Sequence, residues 1–182
     1  MIQIIEDFLK EGDFKELKDY IDAPDLYWTH SKKANAFSTD EHAFQFFHTF
    51  INNGEPKYDN AERLPMMVIK NYLGHNKLIG ISARLENAKA NLFVRSDGER
   101  PIEMGYHQDI DNNEDIKTLL LYLQDSNGHT KFKETNEKVY SKRNRAAIFP
   151  AHWVHQTVSA TDILFRTNLN INFEEIKWKN LN

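Results

Sequence analysis

The sequence predicts an α+β protein in which N-terminal helices buttress an antiparallel β-sandwich or barrel, with a jelly roll as one solution. Two observations predict it. Before residue 77 apolar residues recur at helical spacing. From Ile79 onward the segments are short, rich in β-branched and aromatic residues, and separated by Asp, Gly, Asn and Pro.

Asp13 to Glu16 reads as a capping box that opens a short helix with Phe14, Leu17 and Ile21 on one face. Ser38 and Glu41 form a second box, and Phe44, Phe47, Phe50 and Ile51 give an apolar stripe that predicts a firmer helix ending at Asn53-Gly54. Pro65 suits the first turn of a third helix, which runs through Met66, Ile69 and Leu73 to a stop at Gly74. The strands expected after that are ISARLEN, KANLFVRS, KTLLLYLQD, KVYSKRN, RAAIFPAH and the run from Ile163 to Phe173. No repeat or linker interrupts the chain, so its 182 residues read as a single domain, with helical support over about 1–76 and a β core over about 77–176.

Composition narrows the chemistry. With 40% hydrophobic and 27% charged residues the chain is that of a water-soluble globular protein, and no apolar run approaches the roughly 20 residues that cross a bilayer. The acidic N-terminus lacks a basic n-region, so no signal peptide is expected and a cytoplasmic location is. A formal charge of −4 gives no broad attraction to phosphate backbones, and nucleic-acid binding is not expected. The absence of cysteine excludes disulfides, thiolate metal sites, iron–sulfur clusters and a cysteine nucleophile; only His and carboxylates remain as strong metal ligands.

The run Gly105-Tyr106-His107-Gln108-Asp109 places His107 and Asp109 two residues apart, hence on one side of an extended backbone. Phe149-Pro150-Ala151-His152-Trp153-Val154-His155 offers two further histidines. His155, which leads into Thr157-Val158, is preferred over His152, which sits in a Pro/Trp turn. Two imidazoles and one carboxylate on a triangular face of an octahedral ion leave three adjacent positions open, which suits iron(II). An H-x-D pair alone is weak evidence in a chain with eight histidines. Arg166 strengthens it, because in Phe165-Arg166-Thr167-Asn168-Leu169-Asn170 it shares a strand face with Asn168 and Asn170 and needs an anionic partner.

From Ala88 to Phe173 the order of signals resembles the Fe(II)/2-oxoglutarate dioxygenase superfamily. KANLFV leads to YHQD; then come T-LLLYLQD, Gly128-His129-Thr130-Lys131-Phe132 read as a turn, NRAAIFPAHWVH, and the arginine strand. The N-R-x-x-x-F-P-x-x-x-x-H pattern is similar to that of compact prolyl-4-hydroxylase-like members, including stand-alone forms carried by bacteriophages. The resemblance implies a double-stranded β-helix (jelly-roll) core. It also implies His107, Asp109 and His155 as catalytic metal ligands, Arg166 as partner of the distal carboxylate of 2-oxoglutarate, and Tyr122 and Asn168 beside it. Asn91 and Phe93 would line the pocket. The implied cofactors are Fe(II), 2-oxoglutarate and dioxygen. The implied reaction is hydroxylation of a substrate C–H bond with release of succinate and CO2.

Peptidyl proline is the first substrate suggested, with another protein side chain, a free amino acid or a small metabolite as alternatives. Two other classes fit less of the sequence: a cupin-like metal enzyme without 2-oxoglutarate, and a non-catalytic jelly-roll binding module. Arg166 follows His155 by 11 positions (166 − 155), one more than the commonest spacing in the family, so a loop or bulge is expected near Thr161-Asp162. His129 is expected in an exposed turn, and Lys138, Lys142, Arg143 and Arg145 on a solvated edge. His30, His42, His48 and His75 are read as solvated or packed side chains.

Overall fold

The computed structural model describes residues 1–34, 43–95, 100–111 and 113–177. Its strands are β1 (Gln3–Ile5), β2 (Thr29–Ser31), β3 (Gln45–Asn52), β4 (Glu55–Pro56), β5 (Ile81–Val94), β6 (Ile116–Tyr122), β7 (His129–Phe132), β8 (Lys138–Tyr140), β9 (Arg145–Pro150), β10 (His155–Val158) and β11 (Phe165–Lys177). Two helices, α1 (Glu11–Ile21) and α2 (Arg63–His75), complete it. The major sheet runs β1-β9-β6-β11-β5-β3-β2, with β4 added to β3, and the minor sheet runs β10-β7-β8. Every pairing is antiparallel. Bridges at Glu103↔Val158 and His107↔His155 lay the segment before Asp109 along β10, on the side of that strand away from β7.

Strand alternation divides the interior into two compartments. In β6 and β11, Leu119, Leu121, Leu169, Ile171 and Phe173 face the helices and join Phe14, Leu17, Ile21, Val68 and Ile69 in the main core. The opposite faces carry Thr118, Leu120 and Tyr122, and Arg166, Asn168, Asn170 and Asn172, all buried toward the minor sheet. There Leu120 and Tyr122 pack with Phe132, Val139 and Phe149. The cavity end is left polar.

The expected helix over Phe44 to Asn53 is instead strand β3; Ser38 and Glu41 lie outside the described residues. The cause is visible in the register. Thr49 pairs with Lys89 but Ile51 pairs with Ala88, so Phe50 is an extra residue that breaks the alternation and makes the apolar spacing look helical. ISARLEN and KANLFV are one strand, β5, and the Gly128 to Phe132 turn is largely strand β7, with His129 in it against the Tyr140 ring. Helix α1 begins at Glu11 with no side-chain cap, so the Asp13 box is not used, while Phe14, Leu17 and Ile21 are buried as expected. Arg145 and Lys142 pair with Glu6, and Arg143 with Glu11, so the basic cluster fastens the N-terminal segment rather than only lining an edge. Between β10 and β11 residues 159–164 form a loop, in which Thr161 and Asp162 bind Asn127.

Asn144 makes a second fastening. Its backbone has φ 58°, its side chain accepts from the Leu9 amide at 2.9 Å and donates to the Leu9 carbonyl at 2.8 Å, and it is buried. Asn144→Ala loses both bonds and places alanine in a left-handed conformation, so a loss of about 2–4 kcal/mol is expected in urea denaturation. A loss under about 1 kcal/mol would show that water replaces both contacts.

Candidate metal and anion site

His107, Asp109 and His155 converge: one donor atom from each lies within 4.8 Å of the others, the one such group found among the described residues. The backbone does the assembling. His107 N–H donates to the His155 carbonyl and His155 N–H to the His107 carbonyl, both at 2.9 Å, so two residues 48 positions apart are a direct antiparallel pair. Asp109 is held next to them by its amide donating to the Ala151 carbonyl at 3.1 Å.

Each imidazole is oriented from behind. His155 Nδ1 lies 2.9 Å from the Trp153 carbonyl and His107 Nδ1 lies 3.4 Å from that of Gly105. A proton on each Nδ1 leaves the Nε2 lone pairs facing Asp109, at 3.8 Å for His155 and 3.9 Å for His107. Burial, joined by the charge of His155, holds His107 down to about 4 against the pull of Asp109 and the Gly105 carbonyl. It is neutral at physiological pH, as a metal ligand must be. Burial opposes ionisation of Asp109, but His155, His107, Lys89 and the Thr118 hydroxyl outweigh it and bring the carboxyl down to about 2.

The carboxylate is fixed by β6 and β11. Thr118 donates to Asp109 Oδ2 at 2.7 Å while accepting from Asn172 at 2.9 Å, and Asn170 donates to the two Asp109 oxygens at 3.3 and 3.2 Å. Two donors on an octahedral ion, each at about 2.1 Å, stand roughly 3 Å apart. Contraction of the group by about 1–2 Å would therefore close it on an ion, and its two imidazoles and carboxylate suit iron(II).

At the other end of the same polar face lies Arg166. It is 0% exposed, and its Nε, Nη1 and Nη2 have no hydrogen-bond partner. The guanidinium faces the rings of Phe93 at 5.2 Å and Tyr122 at 6.0 Å. Burial lowers Arg166 to about 10, partly offset by Tyr122, so it still carries its charge at neutral pH. Gly128 makes the room: a Cβ there would lie 3.0 Å from Arg166 Cδ and Nε and 3.1 Å from the Ala160 nitrogen.

A cavity at the candidate ligands is lined by them and by Asn91, Phe93, Met104, Leu120, Thr130 and Asn168, among others; Phe93, which the Arg166 guanidinium faces, is in this lining, and Arg166 itself is not. Asn91 donates to Asn168 Oδ1 at 2.9 Å, joining the two sequence-predicted lining residues. Tyr122 stands beside Arg166, with its hydroxyl 2.8 Å from Thr130 Oγ1 and 3.3 Å from the Val139 carbonyl. Of this pair, Thr130 is in the cavity lining. His152 is outside the cluster. Lys89 also lines the cavity and was not singled out from the sequence. Its signal is the alternation Asn87, Lys89, Asn91, which mirrors Asn168, Asn170, Asn172.

Two stacked antiparallel sheets with a His-Asp-His set between them have the double-stranded β-helix fold of the Fe(II)/2-oxoglutarate oxygenases. Among solved structures, the chain is similar to the viral collagen prolyl hydroxylase of Paramecium bursaria Chlorella virus-1, with TM-score 0.59 and 14% identity over 96% of each chain. It is also similar to a 2OG-Fe(II) oxygenase family oxidoreductase from Burkholderia pseudomallei, with TM-score 0.68 and 9% identity over 95% of this chain and 84% of that one. A third is the non-heme alpha-ketoglutarate-dependent epimerase SnoN from nogalamycin biosynthesis, with TM-score 0.60 and 11% identity over 95% and 76%. No family model matches the sequence, and no curated protein matches it.

Proposed function

We propose that this protein is a non-haem iron(II)- and 2-oxoglutarate-dependent oxygenase that hydroxylates a C–H bond of its substrate, releasing succinate and CO2. The observation that carries the reading is Arg166. A guanidinium fully out of water and bonded to nothing costs several kcal/mol unless an anion meets it. Among the described residues Asp109 is the only acid lining the cavity, and it is held at the opposite end by Thr118 and Asn170, which supports an anion that comes from outside the chain. Arg166 and Asn170 are four residues apart on β11, about 13 Å at 3.3 Å per residue. A dicarboxylate reaching from a metal on His107, Asp109 and His155 meets an arginine side chain within that span. A metal enzyme without an acidic co-substrate would leave Arg166 uncompensated.

His107, Asp109 and His155 would hold the iron, Arg166 and the Thr130 hydroxyl would grip the distal carboxylate, and Asn168 and Asn91 would line the co-substrate between them. Iron, 2-oxoglutarate and dioxygen supply the oxidising chemistry; the chain positions the C–H bond and keeps the site dry. Peptidyl proline is the first substrate to assay, supported by the likeness to a viral collagen prolyl hydroxylase. The likeness to an epimerase makes the fate of the substrate carbon the second thing to measure.

Anaerobic titration of iron(II)-loaded protein with 2-oxoglutarate tests the reading. A weak visible metal-to-ligand charge-transfer band is expected; its absence in folded, iron-replete protein sinks the proposal. In the same titration Gly128→Ala is expected to need about tenfold more 2-oxoglutarate, and to cost about 1–3 kcal/mol of stability, because its methyl displaces the Arg166 side chain.

A further inference from the structure

We infer that Lys89 is the receptor for a carboxylate on the substrate, so that the substrate class is acidic. The inference rests on the oxygenase reading above. Lys89 sits in the middle of β5, paired with Thr49 of β3 on one side and Asn170 of β11 on the other. Its neighbours on the inward face are Asn87 and Asn91, and Asn170 is itself bonded to Asp109, so the ammonium stands at the level of the metal ligands. It lines two cavities. One is the deep cavity of the proposed co-substrate; the other is an outer groove formed with Phe47, Thr49, Asn52, Asn87, Ile110 and Asn172.

Among the described residues the ammonium of the half-buried Lys89 has neither a hydrogen bond nor an ion pair. Among the described residues Asp109 is the only acid along either cavity, and its oxygens are engaged by Thr118 and Asn170 and aimed at the metal position. With a divalent ion bound, the mouth carries +2 from the ion, −1 from Asp109 and +1 from Lys89, a net excess of positive charge. A 2-oxoglutarate anchored at Arg166 neutralises the deep side. On the groove side the ammonium faces a wall of amides (Asn52, Asn87, Asn172) with Phe47 and Ile110, which suits a polar chain that presents one anionic group beside the C–H bond to be oxidised. Such a group reads the site by a charge-assisted bond that a neutral isostere cannot make.

The carboxylate on Lys89 could come from the substrate or from 2-oxoglutarate itself, and the test separates them. Wild type, Lys89→Met and Lys89→Arg are loaded with manganese(II), which stands in for iron without turnover. Each is titrated calorimetrically with 2-oxoglutarate, then with acetyl-Gly-Asp-Gly-amide and acetyl-Gly-Asn-Gly-amide. We expect the Asp peptide to bind wild type about tenfold tighter than the Asn peptide. That preference should vanish in Lys89→Met and persist in Lys89→Arg, with 2-oxoglutarate affinity in Lys89→Met falling by much less than the affinity for the Asp peptide. No preference for Asp in wild type, or a preference that survives Lys89→Met, overturns the inference while leaving the oxygenase reading intact. So does a loss confined to 2-oxoglutarate. If wild type takes up neither manganese(II) nor 2-oxoglutarate, the oxygenase reading fails and this inference fails with it.

Discussion

Arg166→Met is expected to stabilise the ligand-free protein and at the same time abolish its response to 2-oxoglutarate. The two effects have one cause. In the free protein the guanidinium is buried against Phe93, Tyr122 and the Gly128 backbone with no acceptor, so its desolvation is uncompensated. Methionine fills similar space without charge, and replacing a buried charge by an apolar side chain gains about 1–4 kcal/mol in comparable settings. Removing the partner of a buried carboxylate costs about 3–5 kcal/mol, which weakens binding of the co-substrate by roughly a hundred- to several-thousandfold. Denaturant unfolding of the free protein and titration of the iron(II)-loaded protein check the two halves. A variant that is destabilised when free, yet still binds 2-oxoglutarate normally, would show that Arg166 is an ordinary structural residue.

His155→Ala and Asp109→Ala are expected to remove iron(II) binding, while His152→Ala leaves it unchanged. In wild type, iron(II) at about a hundred times its dissociation constant adds about 2.7 kcal/mol to stability. For a domain of this size that is a rise of roughly 5–10 °C in anaerobic thermal melts. Both ligand variants should show no rise, and a chelator should return wild type to their level. Neither substitution breaks the framework: the Asn172 to Thr118 bond stays, and the reciprocal His107/His155 pairing is made by the backbone. An iron-dependent rise that survives in Asp109→Ala but is lost in His152→Ala would move the metal elsewhere.

Much of the β half was legible because its faces are uniform. In β11, Leu169, Ile171 and Phe173 alternate with Asn168, Asn170 and Asn172, and period-2 patterning states that one side is core and the other is not. Helices α1 and α2 were legible for the same reason at period 3.6. The segment from Phe44 to Asn53 misled because the bulge at Phe50 shifts the alternation, and a bulge exists only relative to a partner strand. The capping box at Asp13 misled because the helix starts two residues earlier, at Glu11, just after the buried Phe8 and Leu9 and with no side-chain cap.

By itself the sequence determined the chemical repertoire: no thiolates, an H-x-D pair, a later histidine and an arginine placed on a polar strand face. It also determined which side of each regular strand could face a ligand, since local alternation needs no partner. Only the tertiary structure decided that His107 pairs backbone to backbone with His155, that Gly128 opens the space in which Arg166 lies unbonded, and that the Tyr122 hydroxyl acts on Thr130. It also decided that Lys89, unremarkable in the chain, stands at the mouth of the metal site. The reason is physical. Patterning along a strand is local, whereas the register between strands, and with it every distance across the cavity, is set by cooperative burial on both faces of the sheets.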